Sequence, residues 1–361
     1  MSLRDLSRRV NADLKADLAA VEDTDVDEDV DLWIPTGSRI MDMALGGGDP
    51  KKGGWAAGRI AELFAESGVG KSTMMYLAMA RAQQAYGGVA GILDAERTHT
   101  SARARDLGVD CNLDDAFWYA APEDLDQGFK MVSQFAEAPE VGPGSIIGWD
   151  SLSTTQEAVS KKGGITRRSQ QLQAGFRPLT KDLKEAQISL LLINHATAAF
   201  KTGGNKWKTT VESGGGTKVK YYCSQRVRLI PIGAFKVGEV NRGVMIKVIV
   251  VKTKVSRPPT RDIEYVFPLD HELGVNADHE MWGWLMANEM AFDGKVVAQM
   301  ASSRCQIHGC HSEMFEMSKP ERDRGYISVY AKDMEEMFAD RPDVREFMDL
   351  VAFGGLADGA K

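Results

Sequence analysis

The chain has 361 residues, 43% hydrophobic and 26% charged, with a net charge of −7 at neutral pH. That length supports a sizeable core, expected as one large domain with smaller appendages. The acidity excludes a uniformly basic nucleic-acid binder, no apolar run reaches the ~20 residues of a membrane-spanning helix, and the opening MSLRDLSRRV has no apolar secretory stretch. Cys111, Cys223, Cys305 and Cys310 then read as reduced thiols in a cytoplasm-like compartment.

From the N-terminus, Leu3, Leu6, Val10, Leu14, Leu18 and Val21 recur at steps of three or four, forming one apolar helix face. Such a face packs on its own domain or on a neighbouring subunit. The almost wholly acidic stretch 22–31 reads as a linker and favours the neighbour. Residues 1–32 are therefore expected as an oligomerisation helix and linker.

An apolar strand is expected at 60–64 and a helix at 73–86. Between them runs Ala65-Glu66-Ser67-Gly68-Val69-Gly70-Lys71-Ser72-Thr73. A strand, a small-residue loop and a helix start make a phosphate cradle, because the loop amides and the helix N-terminus face an anion. Lys71 supplies a point charge to the outer phosphates, and Ser72 offers a hydroxyl to Mg²⁺. Ala65 stands where the usual G-x-x-x-x-G-K-[ST] pattern has its first glycine.

Further strands are expected at 89–93, 116–120, 146–149 and 188–194, with helices at 102–107, 127–137 and 171–186 between them. This alternation implies an α/β fold, with a mostly parallel sheet covered on both faces and its ligands beyond the strand C-termini. Closely spaced strands at 226–231, 245–252 and 263–267 read as an antiparallel extension. Residues 271–361, with a helix at 332–338, read as a small C-terminal α+β domain after a core at 33–270.

Three strand ends carry polar groups: Asp94-Ala95-Glu96, Asp150-Ser151 and Asn194-His195. Asp150 suits a Mg²⁺ ligand acting through water, and Glu96 suits a base that polarises the water attacking the γ-phosphate. The long stretch 196–217 holds Phe200, Lys201, Lys206, Trp207 and Lys208 among glycines. Cations for phosphates and rings for bases suit unpaired nucleic acid. Residues 161–220 carry twelve Lys and Arg against three Asp and Glu, so the basic charge is local.

The order AESGVGKST, LDAERTHTSARARDLGVD, IIGWDSL, LLLINH, GGGTKVKYYCSQRVRLIPIGAFKVGE and VIVVKTKV resembles the RecA family of homologous-recombination ATPases over about 33–270. The acidic leader, His195 and the short C-terminal region are similar to the phage recombinases of the UvsX type. The resemblance implies a RecA-type P-loop ATPase core, with Glu66, Ser67, Gly68, Val69, Gly70, Lys71, Ser72 and Thr73 around ATP. It implies Glu96 as the catalytic carboxylate and Asp150 beside Ser72 as the Mg²⁺ acid. Arg103 stands where the family stacks an aromatic ring on adenine, and an arginine plane also stacks. His195 stands where the family senses the γ-phosphate with a glutamine, which would make sensing pH-dependent here.

The resemblance further assigns one DNA loop to 160–169, with Lys161, Lys162, Arg167 and Arg168, and a second to 196–217, including Gly215 and Gly216. Arg177 matches a family backbone contact. Lys252 and Lys254 would reach ATP held by the adjacent subunit, although a charged strand end is an alternative. Tyr221 matches an interface aromatic, with a core tyrosine as the alternative.

The implied protein is an ATP- and Mg²⁺-dependent recombinase. It would coat single-stranded DNA as a helical filament, pair it with homologous duplex DNA and exchange strands. Its partners would include single-strand-binding and loader proteins, and its place would be the cytoplasm, that of the host cell if phage-encoded. A RecA-like ring helicase or motor, and a DNA-coating mediator with a vestigial ATPase, are the alternatives. Outside the resemblance, Cys305, His308, Cys310 and His311 offer four zinc ligands. Seven residues are few for a closed tetrahedron, so ordinary small-domain residues are favoured.

Overall fold

The computed structural model describes residues 30–47, 52–112, 115–157, 166–201, 208–214, 216–237, 239–259, 264–288, 290–292, 295–301, 304–308, 326–330 and 333–349. The helix expected at 3–21, and Lys161, Lys162, Lys206, Trp207, Gly215, Cys310 and His311, lie outside them.

The chain runs β1 (Trp33–Ile34), α1 (Arg39–Gly46), β2 (Trp55–Ala56), β3 (Ile60–Ala65), α2 (Lys71–Tyr86), β4 (Ala90–Asp94), α3 (Ser101–Asp106) and β5 (Phe117–Ala120). It continues through α4 (Leu125–Glu137), β6 (Ile146–Asp150), α5 (Thr166–Ala186), β7 (Ser189–Lys201), β8 (Lys208–Ser213) and α6 (Gly216–Tyr222). Then follow β9 (Gln225–Val237), β10 (Val240–Thr253), β11 (Val266–Asp270) and α7 (Ala277–Ala287). The last elements are β12 (Met290–Phe292), β13 (Lys295–Ala301), β14 (Arg304–His308), β15 (Tyr326–Tyr330), α8 (Met334–Asp340) and α9 (Pro342–Asp349).

The central sheet has the order β11-β10-β9-β3-β7-β6-β4-β5, with β8 paired to β7. From β9 to β5 all neighbours in this order are parallel. Both faces are covered, so its strands read as continuous apolar runs, all six residues of β3 being buried. The period of two divides them between two cores. Leu191 and Ile193 pack on the side of α2 with Met74, Met75 and Met79. Leu190 and Leu192 pack on the opposite side with Phe129 of α4 and Phe176 of α5. The fold is the expected RecA-type α/β core.

Two details differ from the sequence reading. The strands after 224 are antiparallel to one another, but β9 itself joins β3 in parallel. The stretch 196–217 is not one long loop: β7 runs on to Lys201 and pairs antiparallel with β8, from Ala196↔Ser213 to Lys201↔Lys208. Thr209, Thr210 and Val211 supply the β-branched residues that favour this ladder.

The antiparallel sheet β12-β13-β14-β15 is separate. Helix α7 packs on β11. Its buried Glu280 accepts Ser38 Oγ at 2.5 Å and the amides of Arg39 and Ile40 at 3.2 and 3.4 Å. This anion sits on the N-terminus of α1, where a negative charge is favoured.

Candidate nucleotide site

Parallel register brings the functional strand ends to one edge. Ala65 pairs with His195 across β3 and β7, and Asp94 with Asp150 across β4 and β6. After β3 the chain turns through Gly68 (φ +76°) and Gly70 (φ +98°), conformations that favour glycine. A Cβ on Gly70 would lie 2.1 Å from Leu269 Cδ2, so a side chain there would push against β11. The 16-residue α2 begins at Lys71 and aims its N-terminus at the turn.

Lys71 Nζ donates to the carbonyls of Glu66 at 2.8 Å and Ala65 at 3.3 Å. Burial lowers its pKa, against the opposing pull of Asp150 and Glu96. Ser72 Oγ donates to Asp150 Oδ2 at 2.6 Å. Burial, with the charges of Glu96 and Asp94, raises the Asp150 carboxyl despite Ser72 and Lys71. A hydroxyl and a carboxylate short of positive charge, beside an anion cradle, form a donor set that fits a hard divalent cation.

Glu96 lies on the same edge. Its Oε1 accepts Ser151 Oγ at 2.6 Å and lies 3.2 Å from His195 Nε2. Burial acts to raise this carboxyl, but the Ser151 and His195 contacts outweigh it and hold it below the ordinary range. Glu96 is therefore a carboxylate at neutral pH, able to accept a proton from water.

Asp94 has a structural task. Arg97 takes a left-handed φ of +56°, and the reversal lets the amides of Thr98 and His99 donate to Asp94 at 3.1 and 2.9 Å. The resulting loop and α2 enclose a cavity of about 170 Å³, lined by Ser72, Thr73, Tyr76, His99, Thr100, Arg103 and Asp150 among others. Arg103 keeps its place there, with Nη1 donating to Glu272 O at 3.0 Å. Tyr76, His99 and Ser151 were not singled out by the sequence. Tyr76 OH lies 2.8 Å from His99 Nδ1, and the His99 ring stacks on Phe117. For Ser151 the signal was its place after a strand-ending acid; for the rings there was none.

The basic residues divide. Arg168 is a correction to the DNA reading: its Nη1 and Nη2 donate to Thr155 O at 2.8 Å and Leu152 O at 2.7 Å, so it anchors the turn after β6. Five fixed donors let a guanidinium hold two carbonyls at once, which spacing alone could not reveal. Arg177 is exposed on α5. Arg167 starts α5, Phe200 and Lys201 end β7, and Lys208 begins β8 opposite Lys201. Gly216 opens α6 with φ +81°, and Gly214 N–H donates to His195 O at 2.8 Å.

Lys252 and Lys254 do converge, on the carbonyls at the end of α6. Lys254 Nζ is 3.3 Å and Lys252 Nζ 3.4 Å from Tyr221 O, and Lys252 also donates to Lys220 O. Tyr221 is 67% exposed, which excludes the core alternative. Among the described residues, no helix is long and apolar enough to cross a membrane and no group of three or more His, Cys, Asp or Glu is placed to hold a metal. Cys305 and His308 both lie on β14, while Cys310 and His311 fall outside the described residues.

The family model for the RecA N-terminal domain matches residues 14–269. Protein RecA of Bacteroides thetaiotaomicron is 32% identical over 237 residues, covering 64% of this chain and 67% of the relative. Protein RecA of Porphyromonas gingivalis is 33% identical over 246 residues, 66% of each chain. Protein RecA of Methylococcus capsulatus is 32% identical over 260 residues, 70% of this chain and 68% of the relative. The match thus spans about two thirds of these relatives' length. It takes in the phosphate loop, both strand-end acids and the hairpin strands, and the chain accordingly belongs to the RecA family.

Proposed function

We propose that this protein is an ATP-dependent DNA recombinase that assembles as a helical filament on single-stranded DNA, pairs it with homologous duplex DNA and exchanges strands. The observation that carries the reading is the 3.2 Å contact between Glu96 and His195. It joins the acid beside the phosphate loop to the strand that becomes the basic β7–β8 hairpin. Nucleotide chemistry and DNA binding thereby meet in one hydrogen bond.

In this reading the loop 66–73 and the N-terminus of α2 bind the ATP phosphates, and Lys71 neutralises their outer charge. Mg²⁺ held by Ser72 and, through water, Asp150 would draw charge from the phosphate oxygens. Glu96, fixed by Ser151, orients the attacking water and accepts its proton. Arg103 lies against the base. Lys252 and Lys254 reach the ATP of an adjacent protomer, and exposed Tyr221 lies at that interface.

Lys161, Lys162, Arg167, Arg177, Phe200, Lys201, Lys206, Trp207, Lys208, Gly215 and Gly216 would contact the strand. The proposed division is an assembly segment at 1–32, an ATPase core at 33–270 and a C-terminal domain at 271–361, working in the cytoplasm with single-strand-binding and loader proteins.

The test is ATP hydrolysis with and without a single-stranded oligonucleotide, repeated for Glu96→Gln. DNA-stimulated turnover in the wild type, lost by about 100-fold or more in the variant with DNA binding retained, is the expected result. Undiminished turnover removes Glu96 from the mechanism.

A further inference from the structure

A carboxylate stands in the middle of the apolar strand β3. Glu62 is fully buried, and its Oε2 accepts Arg226 Nε of β9 at 2.5 Å. Its Oε1 accepts Asn194 Nδ2 of β7 at 2.7 Å. Arg226 Nη2 then donates to Ser213 Oγ, at the end of β8, at 3.1 Å. Asn194 has no exposed surface, while Arg226 and Ser213 are each 5% exposed. Taking such charges out of water is costly, and apolar residues would fill the same core more cheaply, so the set calls for a reason beyond packing.

Its two ends supply one. Neighbouring side chains on a strand point to opposite faces. His195 therefore turns to Glu96 while Asn194 turns to Glu62. At the far end, Ser213 pairs with Ala196 and precedes Gly214, whose amide holds His195 O at 2.8 Å. The set thus touches the strand of the phosphate loop, the strand that carries His195 and the base of the hairpin.

The set is also incompletely bonded. Asn194 Oδ1 is buried and has no hydrogen-bond partner among the described residues. It is bound to the same carboxylate as Arg226, a group with five N–H donors. A second arrangement, with a donor moved onto Asn194, is open to the same residues. Two alternative bonding patterns in a buried network are what a switch requires.

We infer that Glu62, Asn194, Arg226 and Ser213 form a relay that transmits movement of the His195 strand end to the β7–β8 hairpin through the Arg226–Ser213 hydrogen bond. The relay rests on the recombinase reading, since it needs DNA on the hairpin and nucleotide beside Glu96. Its members are positioning residues and touch neither ligand.

Replacing Glu62 or Arg226 would strand a buried charge and threaten folding. Ser213 is the clean handle, because its loss leaves the Glu62–Arg226 pair intact. The experiment is steady-state ATP hydrolysis with and without a single-stranded oligonucleotide for wild type, Ser213→Ala and Ser213→Thr. The basal kcat and the KM for ATP should match in all three. Stimulation by the oligonucleotide should fall about five-fold in Ser213→Ala and return in Ser213→Thr, which keeps the hydroxyl. Equal stimulation in Ser213→Ala and wild type overturns the relay. A drop in basal turnover that Ser213→Thr does not restore marks a structural role and overturns it as well. Absence of stimulation in the wild type overturns the recombinase reading, and the relay with it.

Discussion

Glu96 and His195 share one hydrogen bond, so the protonation of one sets the basicity of the other. A protonated imidazole donates to Glu96 and stabilises its charge, which makes it a poorer base. The ATP hydrolysis rate of the wild type should therefore fall on the acid side of neutrality. His195→Gln, which cannot take on charge there, should give a flatter pH profile. Rates that match the wild type at every pH would remove this coupling. Nearby, Lys71 is lowered by burial and Asp150 raised by it, so each ion is poorly accommodated alone. Polyphosphate and a divalent cation supply the missing opposite charges.

Among the elements, the turn between β3 and α2 has the least freedom. Gly70 combines a left-handed backbone with a Cβ position already filled by Leu269. Gly70→Ala should weaken ATP binding about tenfold or more and lower stability by ~1–3 kcal/mol, read by fluorescent-nucleotide titration and by denaturant unfolding. The mild departure at Ala65 is of another kind. Ala65 is the last residue of β3, buried and paired with His195, so it is part of the sheet rather than the bend. The hairpin makes a related point. Its glycines and basic residues drew attention to binding, while Thr209-Thr210-Val211 carried the ladder.

For the whole molecule, the junction of α7 with α1 carries a pH signature. Burial pushes the Glu280 carboxyl up to about 7 despite the Ser38, Arg39 and Ile40 bonds, and pushes Asp42 up to about 6. A carboxyl raised in the folded state takes up a proton on folding. Its contribution to stability therefore grows as pH falls from about 7 to the ordinary glutamate value of 4.5, and is constant outside that window. Thermal unfolding from pH 8 to pH 5 should show the wild type gaining stability relative to Glu280→Gln, by on the order of 2–3 kcal/mol. A parallel pair of curves would remove Glu280 as the cause. Assembly is the second property at this scale. With a non-hydrolysable ATP analogue and oligonucleotide, the wild type should sediment as long polymers, and Lys254→Ala should shift to small species. Electron microscopy of the polymers should show open helices; closed rings would favour the motor alternative.

The order of strands and helices, the phosphate loop and the strand-end acids were legible in the amino-acid sequence, because each is written in adjacent residues. An apolar run, a Gly-x-Gly-Lys-Ser turn and a carboxylate after a strand need no distant partner to be recognised. The three-dimensional fold alone decided the rest. It turned Arg168 inward, gave Asp94 to a loop, stacked His99 on Phe117 and set β9 parallel to β3. It also joined Glu62 to residues 132 and 164 positions away. Such outcomes depend on which groups meet across strands far apart in the chain, where burial and hydrogen-bond geometry, rather than local pattern, determine what each side chain does.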